Sequence, residues 1–406
     1  MPAIINPPNT LHSKSHKIDY VKLITTTTEY DITDQLLEFV LFEDILDDAI
    51  NGDIVFVDSN NILSGAPVIG REKLEISFSS RDDNDAFFLP YKKTFKIINT
   101  NGLQKDIQNN TEVYTMSIIS EAYSESDKIK ISKSFNNTPD KIVSSLMSII
   151  NTPISVEECL YKRKFIVPNI SPFQFIKFLC DESTSKVNQS SDFVFFENKD
   201  GFNFKSAYTL MQAQTPTLIT YRINTKGNPD HRFNARHILI DKYFNSLEHY
   251  NGICGATIIT HDIKKKKQLV NKTDYYSYTK DFKNMNNGNL FIDNNQQQLP
   301  NSRILYDIAD TIYSEHNSLQ INQRLKRLIN RALLNNSKIT ISLSGNIDLK
   351  TGDVILLDYR DEFNKPDLIR SGKYIITKIK HDVTKVEYMM TLECSKDSFI
   401  TTSKKL

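Results

Sequence analysis

Apolar residues in this chain recur mostly at every second position, the period of a half-buried strand. A long apolar run from Leu36 to Leu46 is studded with Glu38, Glu43 and Asp44. The turn signal Asn51-Gly52-Asp53 then leads into four apolar residues, Ile54 to Val57, that end on Asp58. A second turn, Asp58-Ser59-Asn60-Asn61, leads to Pro67 and Gly70. After Glu72, Lys73 to Phe78 alternates polar and apolar. Thr94–Ile98 is a short apolar piece, and in Glu112–Ile118 the side chains of Tyr114, Met116 and Ile118 share one face. Lys128–Lys133 alternates cleanly, which predicts one more strand. Strands folding back on one another in this way predict a barrel or closed sheet.

The period changes after Asn136. Thr138 before Pro139 reads as an N-cap with proline at the first helical position, and Ile142, Val143, Leu146, Ile149 and Ile150 form one helical stripe. Ser171-Pro172 repeats the start signal, with Phe175, Ile176, Leu179 and Cys180 as the buried face. Phe193–Phe196, the turn Asn198-Lys199-Asp200-Gly201 and Phe202–Phe204 read as a hairpin. Further on, strand-like pieces (Leu218–Ile223, Ala256–Thr260) are broken by polar segments. Asn284–Gln298 is Asn/Gln-rich and predicts loop or local disorder. Two helices are expected next: one capped by Ser302 with Ile304, Leu305, Ile308, Ala309 and Ile312 inward, and one with Leu325, Leu328, Ile329, Ala332 and Leu333 inward. Strands return at Ile339–Leu343, Val354–Leu357, Tyr374–Ile379 and Tyr388–Leu392. Thr351-Gly352-Asp353-Val354 to Asp358 echoes Asn51-Gly52-Asp53-Ile54 to Asp58, a hint that two β domains are related.

Composition narrows the function. At 406 residues the chain has room for two to four domains. Lysine and arginine total 50 against 49 acids, a net charge of +1, without the basic excess that gripping duplex nucleic acid requires. Glycine is scarce at 12, which argues against a phosphate cradle. Cys159, Cys180, Cys254 and Cys394 are scattered with no C-x-x-C, as expected of reduced, mostly buried thiols. No signal-peptide hydrophobic region is visible at the N-terminus, and no run of about 18 apolar residues occurs, so no membrane insertion is expected. Residues 1–20 read as an extended arm.

Reaction machinery is missing. No nucleophile elbow, P-loop, zincin or dinucleotide motif is present. His261-Asp262 and His381-Asp382 each end an apolar strand, but adjacent strand residues point to opposite faces, so imidazole and carboxylate diverge. His231 and His237 lack a Cys/His cluster that would complete a metal site. Glu72 with Glu75, or Glu157 with Glu158, are carboxylate pairs that a wall-degrading glycosidase could use; one strand would place Glu72 and Glu75 on opposite faces. The basic features, Lys264–Lys267 and the helix with Arg324, Lys326, Arg327 and Arg331, read as a solvated loop and a wet helix face rather than a phosphate site. No enzyme, cofactor or metal is expected.

Several of these stretches resemble, in consistent order, the baseplate central hub proteins of contractile-tailed bacteriophages. At the N-terminal end the match is the apolar segment, then Gly52-Asp53-Ile54 to Asp58, then Pro67-Val68-Ile69-Gly70-Arg71-Glu72 and a strand. Centrally it is Val167-Pro168-Asn169, Ser171-Pro172-Phe173, Phe195 to Asn198 with Asp200-Gly201-Phe202, and Asn251-Gly252 leading to Thr260-His261-Asp262. At the C-terminal end it is Gly352-Asp353-Val354-Ile355, Ser371-Gly372-Lys373-Tyr374, His381 and Lys396-Asp397-Ser398.

The resemblance implies a mainly β, α+β chain with two related barrel-like tube domains, a small inserted α/β domain and a peripheral helical and loop segment. Residues 1–135 would be the first tube domain with its arm, and 136–206 the insert. Residues 207–263 with 336–400 would be the discontinuous second tube domain, and 264–335 the periphery. It also implies a hollow homotrimer in the virion, assembled in the host cytoplasm. Two domains per chain would give six units around a channel, matching the tail tube protein above, while the three-fold end receives a central spike protein among other baseplate subunits. Phage DNA would pass without tight binding, so the lumen is expected to be neutral or acidic. Because family members elsewhere continue into a spike, and this sequence stops soon after Asp397-Ser398, the spike is expected to be a separate partner. The alternatives are the hub of a non-viral contractile injection system, a cell-wall-degrading tail enzyme and a nucleic-acid-binding module.

Overall fold

The computed structural model describes residues 16–58, 62, 68–80, 90–106, 111–212, 216–222, 233–242, 256–262, 266–273, 282–289, 303–309, 317–335 and 337–400. Its centre is one curled sheet of 13 strands. Six come from the N-terminal part: β1 (His16–Ile24), β2 (Leu36–Asp44), β3 (Asn51–Asp58), β4 (Lys73–Ser80), β5 (Tyr91–Asp106) and β6 (Thr111–Ser120). Six more are β7 (Thr217–Arg222), β8 (Ala235–Lys242), β9 (Ser337–Ser344), β10 (Val354–Arg360), β11 (Gly372–Thr384) and β12 (Tyr388–Lys396). The short strand Glu29–Asp31 pairs with β1.

The two sets share one topology. Spatial order in the first is β2-β3-β6-β5-β4-β1, and in the second β8-β9-β12-β11-β10-β7. Adding six to each label converts one into the other. Two irregularities of register also coincide. An extra residue interrupts β2–β3 between Leu36 and Glu38, and β8–β9 between Ala235 and His237. A second interrupts β5–β6 between Ile97 and Asn99, and β11–β12 between Ile376 and Lys378. Bulges of this kind fix bend and twist, so matching bulges mean matching shapes. One strand differs: β1 runs antiparallel to β4, whereas β7 runs parallel to β10.

This alignment corrects the sequence echo. Gly52 lies within β3, whose counterpart is β9, while Gly352 stands just before β10, whose counterpart is β4. The glycine nearest to the place of Gly352 in the first unit is Gly70, before β4 and one residue out of strict register; their φ angles are +88° and +92°. Gly52 is glycine for another reason, since a Cβ there would lie 2.1 Å from the Val40 carbonyl oxygen. Two unrelated needs produced the same dipeptide.

β11 fuses the units. Its first residues, Gly372–Ile375, pair with β10, and Lys378–Thr384 pair with β2 of the first unit. Both units bury their inner faces in one apolar core that includes Phe39, Phe56, Phe78 and Phe95 with Ile341, Leu357, Tyr374 and Leu392. The small unit inserted between β6 and β7 has its own core. It contains helices Pro139–Ile149 and Pro172–Glu182 and the hairpin Phe193–Asn198 with Gly201–Ser206. The second helix starts as its sequence predicts, with the Gln174 side chain accepting from the Ser171 N–H at 3.3 Å.

Two local expectations fail and two hold in part. Arg303–Ala309 is a strand parallel to Ala256–Asp262, not a helix capped by Ser302. Its exposure alternates, with Ile304 and Tyr306 outward and Leu305 half-buried, so the period is two and the neighbouring strand decides the outcome. Lys128 ends a helix, Glu121–Lys128, and the strand runs Ile131–Asn137. Glu121 in the first turn and Lys128 in the last suit the helix dipole, which the alternation obscured. Thr138 occupies the N-cap, but its hydroxyl makes no bond. In the Asn/Gln-rich stretch, Asn284–Asn289 is described and Gly288–Asn289 pair with Ser398–Phe399; residues 290–298 lie outside the described residues.

Candidate functional site

Several of the resembling residues gather at three anchors. The first surrounds Glu43 on β2, which turns into the core at the seam with β11. Glu43 and His381 are each about 1% exposed, 3.6 Å apart. Tyr91 Oη donates to Glu43 at 3.4 Å, and Thr351 donates through both N–H and Oγ1 at 3.3 and 3.1 Å. His381 Nδ1 shares a 2.8 Å hydrogen bond with Tyr388 Oη. Burial first, then Glu43, pushes the Tyr91 phenol far above its usual range, and it stays protonated. A His–Glu–Tyr set invites a catalytic reading, but solvent does not reach it. It bridges the units instead. As the sequence predicts for adjacent strand residues, Asp382 points away from His381 and meets Lys380 at 2.9 Å, so the pair diverges. Sequence reasoning missed Glu43, Tyr91, Thr351 and Tyr388, whose separation in sequence left no local signal.

The second anchor is the tip of the small unit's hairpin. Glu197 receives Lys93 Nζ at 2.6 Å, Ser120 Oγ at 3.1 Å and the Ile50 N–H at 3.1 Å, all from the first β unit. The neighbouring residues grip the second unit. Asn198 Nδ2 donates to the Thr351 carbonyl at 3.2 Å, and Asp200 pairs with Lys350 at 2.5 Å. Gly201 turns the hairpin at φ +121°. Phe196 lies 3.1 Å from where a Gly352 Cβ would be, so a side chain there would push the hairpin away. A cleft of about 340 Å³ beside it is lined by Ile154, Phe202, Lys350 and Asp353, among others. Burial raises the Asp353 carboxyl to about 6.

The third anchor collects Gly372, Lys396, Asp397 and Ser398 around Asn286. Asn286 Oδ1 accepts from the Lys373 N–H at 2.8 Å, and its Nδ2 donates to the carbonyls of Lys373 and Ser398. A Cβ on Gly372 would come within 2.9 Å of that Oδ1. Asp397 accepts from the Met285 N–H at 3.0 Å, and Ser398 Oγ from the Asn286 N–H at 2.8 Å. Lys396 Nζ donates to the carbonyls of Ile369 and Ser371 and sits 4.5 Å from the Tyr374 ring. Burial lowers Lys396 to about 7 and raises Asp397 to about 6.

The remaining singled-out residues have local tasks or fall elsewhere. Asp58 accepts from the Ile62 N–H at 2.9 Å. Glu72 precedes β4 and its Oε2 gathers the N–H groups of Ile69, Gly70 and Arg71 at 2.9–3.0 Å, so it clamps a turn. Glu75 instead meets Lys92 and Tyr20. Pro67, His231, Cys254, Asn251-Gly252 and Lys264-Lys265 lie outside the described residues. His237 is exposed on β8. On the helix Asn317–Leu334, Arg327 and Arg331 engage Asp181 of the small unit. Cys159, Cys180 and Cys394 are free thiols and buried. Among the described residues there is no group of three metal-ligating side chains, and no helix long and apolar enough to cross a membrane.

No family model matches the chain. It is 23% identical over 378 residues to the probable baseplate hub protein gp334 of Vibrio phage KVP40, covering 87% of this chain and 88% of that protein. The tail protein from Neisseria meningitidis MC58 superposes with a TM-score of 0.57 at 12% identity, over 93% of this chain and 96% of its own. The 43 kDa tail protein of prophage MuSo2 from Shewanella oneidensis gives 0.53 at 9% identity, over 93% and 98%. Motif order, a phage relative along most of the chain and the fold of tail proteins agree: the chain resembles phage baseplate hub proteins.

Proposed function

We propose that this chain is the central hub of a phage tail baseplate, a homotrimeric hollow ring that joins a six-fold tail tube to a three-fold spike. The observation that carries the proposal is the repeated strand order with matching bulges, fused sideways through β11. A chain made of two like units gives six units when three chains close a ring. A ring of six such units suits a six-fold tube on one face, and three identical chains suit a trimeric spike on the other. The relative named above is a phage protein, which favours a virion over a secretion machine.

The role is structural. His381, set against a carboxylate at the seam, is sealed from solvent, and the charge on the sheet's outward face supports reading it as the wall of a passage for DNA. On the face of β2, β3, β9, β11 and β12 turned away from the core, Lys338, Lys378 and Lys380 stand against Glu38, Asp44, Asp53, Asp382 and Glu393. Each of these lysines is paired with one of those acids. Phosphates bind tightly where unpaired cations collect, so a wall with its lysines neutralised lets DNA slide. The ring assembles in the host cytoplasm with its tube, spike and other baseplate partners and ends in the virion.

The test is the solution mass of the purified chain at high concentration, with negative-stain images of the same sample. A particle of about three 46.7 kDa chains with a central hole is expected. A chain that stays monomeric beside its spike and tube proteins contradicts the proposal.

A further inference from the structure

Where the small unit meets the helix Asn317–Leu334, two buried side chains leave two oxygens without partners. Asp192, just before the hairpin strand Phe193–Asn198, is 2% exposed, and Asn330 on the helix is 1% exposed. Asn330 Nδ2 donates to Asp192 Oδ2 at 2.8 Å, and the Tyr208 N–H donates to the same oxygen at 3.0 Å. Asp192 Oδ1 and Asn330 Oδ1 have no hydrogen-bond partner among the described residues. Both are acceptors when Asp192 is ionised, so a carboxylate here strands two buried oxygens with no proton between them. The Ser206 hydroxyl beside Asp192 cannot help. Ser190 Oγ gives its proton to Asn188 Oδ1 at 2.6 Å, so the 2.5 Å contact of Ser190 with Ser206 uses the proton of Ser206. Among the described residues no cation faces Asp192. On the helix, Arg327 and Arg331 engage Asp181, and Lys326 lies over the Phe282 ring at 5.1 Å. In the small unit, Glu157 accepts from the Ser206 N–H and Thr209 Oγ1, and the Tyr208 phenol accepts from the Lys283 N–H. One proton on Asp192 Oδ1 would supply both stranded oxygens.

We infer that Asp192 is a neutral acid in the folded chain, its Oδ1–H donating to Asn330 Oδ1 while Asn330 Nδ2 donates back to Oδ2, and that this pair is a proton-dependent latch between the small unit and the helix. Carboxylic acid and carboxamide are planar groups of one outline, and set head to head each satisfies the other. Burial, with no cation to offset it, raises the Asp192 carboxyl above its ordinary 3.8. A pKa raised by docking stabilises the docked helix fully below 3.8, and that contribution fades as pH rises through the docked value. Opening of the helix therefore grows about tenfold for each pH unit above 3.8, until Asp192 ionises in place. Ile329 and Leu333 of the same helix pack in one cluster with Tyr208, Met211, Val354 and Ile375, so loosening the latch also loosens the cover over the second β unit. The latch is internal to one chain and does not depend on the ring.

The carboxyl carbon of Asp192 in the unaltered, isotope-labelled chain reads the proton directly by NMR. At about pH 6, roughly two units above the ordinary value, its resonance is expected at the position of the acid form. A resonance at the carboxylate position overturns the latch. Hydrogen exchange reads the consequence. After correction for intrinsic rates, the amides of Tyr208 and of residues 326–334 should open about tenfold more often per pH unit in the unaltered chain. In Asp192→Asn they should show a weaker rise, because the new amide accepts from Tyr208 and Asn330 and donates to Asn330 Oδ1 at every pH. Asp397 titrates alike in both chains, so the difference between them belongs to Asp192. Protection in Asp192→Asn should equal or exceed that of the unaltered chain at about pH 8. Equal pH slopes in the two chains, or a variant less protected at every pH, would mean an ionised Asp192 that merely caps the Tyr208 N–H, and would overturn the proposal.

Discussion

The first β unit is written in one uninterrupted run, whereas the second is assembled from two distant segments. A short loop, residues 45–50, joins β2 to β3, but between β8 and β9 lie residues 243–336, including the strand Ala256–Asp262 and the helix Asn317–Leu334. The strand order survives this insertion. Closure entropy grows slowly with loop length, and register is set by the alternating apolar face rather than by the turn. The units also close differently. At the end of β6, Ser120 bonds to Glu197 of the small unit, while Lys396, its counterpart on β12, holds the carbonyls of Ile369 and Ser371. Topology and two of the bulges are therefore common property, and each unit has its own way of securing the ends.

The largest break in the comparison should come at Gly52. Its counterpart by register is Ile339, which accommodates a full side chain. Gly52→Ala drives a methyl group into the Val40 carbonyl and should cost about 3 kcal/mol or more, seen as a large fall in urea midpoint or as insoluble protein. Ile339→Val should cost about 1 kcal/mol.

Next comes a pH effect confined to the second unit. Because the folded state raises the Asp397 pKa from 3.8 to about 6, its contribution is fully present below pH 3.8 and is lost as pH rises through 6. Between pH 4 and 7 the unaltered chain should lose on the order of 3 kcal/mol relative to Asp397→Asn. Denaturant titrations at several pH values check this, and parallel curves would contradict it. Lys396, lowered to about 7, acts in a separate window: stability rises with pH from about 7 towards 10.5.

The paired glycines should separate more modestly. Gly70→Ala meets only backbone strain, because nothing lies within 4 Å, and should cost about 1 kcal/mol. Gly352→Ala adds the Phe196 contact and should cost about 2 kcal/mol. Equal melting shifts would mean that the hairpin yields freely. The smallest effect is at the seam's surface, where Lys378→Ala removes a half-exposed pair with Asp44 and should cost below about 1 kcal/mol.

Much of the fold was legible because period-two alternation survives wherever one strand face is buried. The strands around Ile54, Leu74, Met116, Ile341 and Leu392 announce themselves, as do the Ser171-Pro172 helix and the Asp200-Gly201 hairpin. Arg303–Ala309 did not, because a short apolar stretch takes its conformation from its neighbour. The anchors were half legible. Asp200, Gly352, Gly372 and Asp397 stood out as motifs, but Lys350, Asn286 and Met285, which three of them meet, lie far along the chain and carry no local pattern. The Gly52–Gly352 echo shows the limit of reading repeats by identity. Topology sets Gly352 within one residue of the place of Gly70, and their shared positive φ makes the likeness visible.

The most direct test of the account is the rotational symmetry of the assembled particle in end-on images. Two like units in each of three chains predict a ring whose density has a strong six-fold component at low resolution and becomes three-fold only in finer detail. A ring with three-fold density at every resolution, or a particle built from any other number of chains, would contradict it.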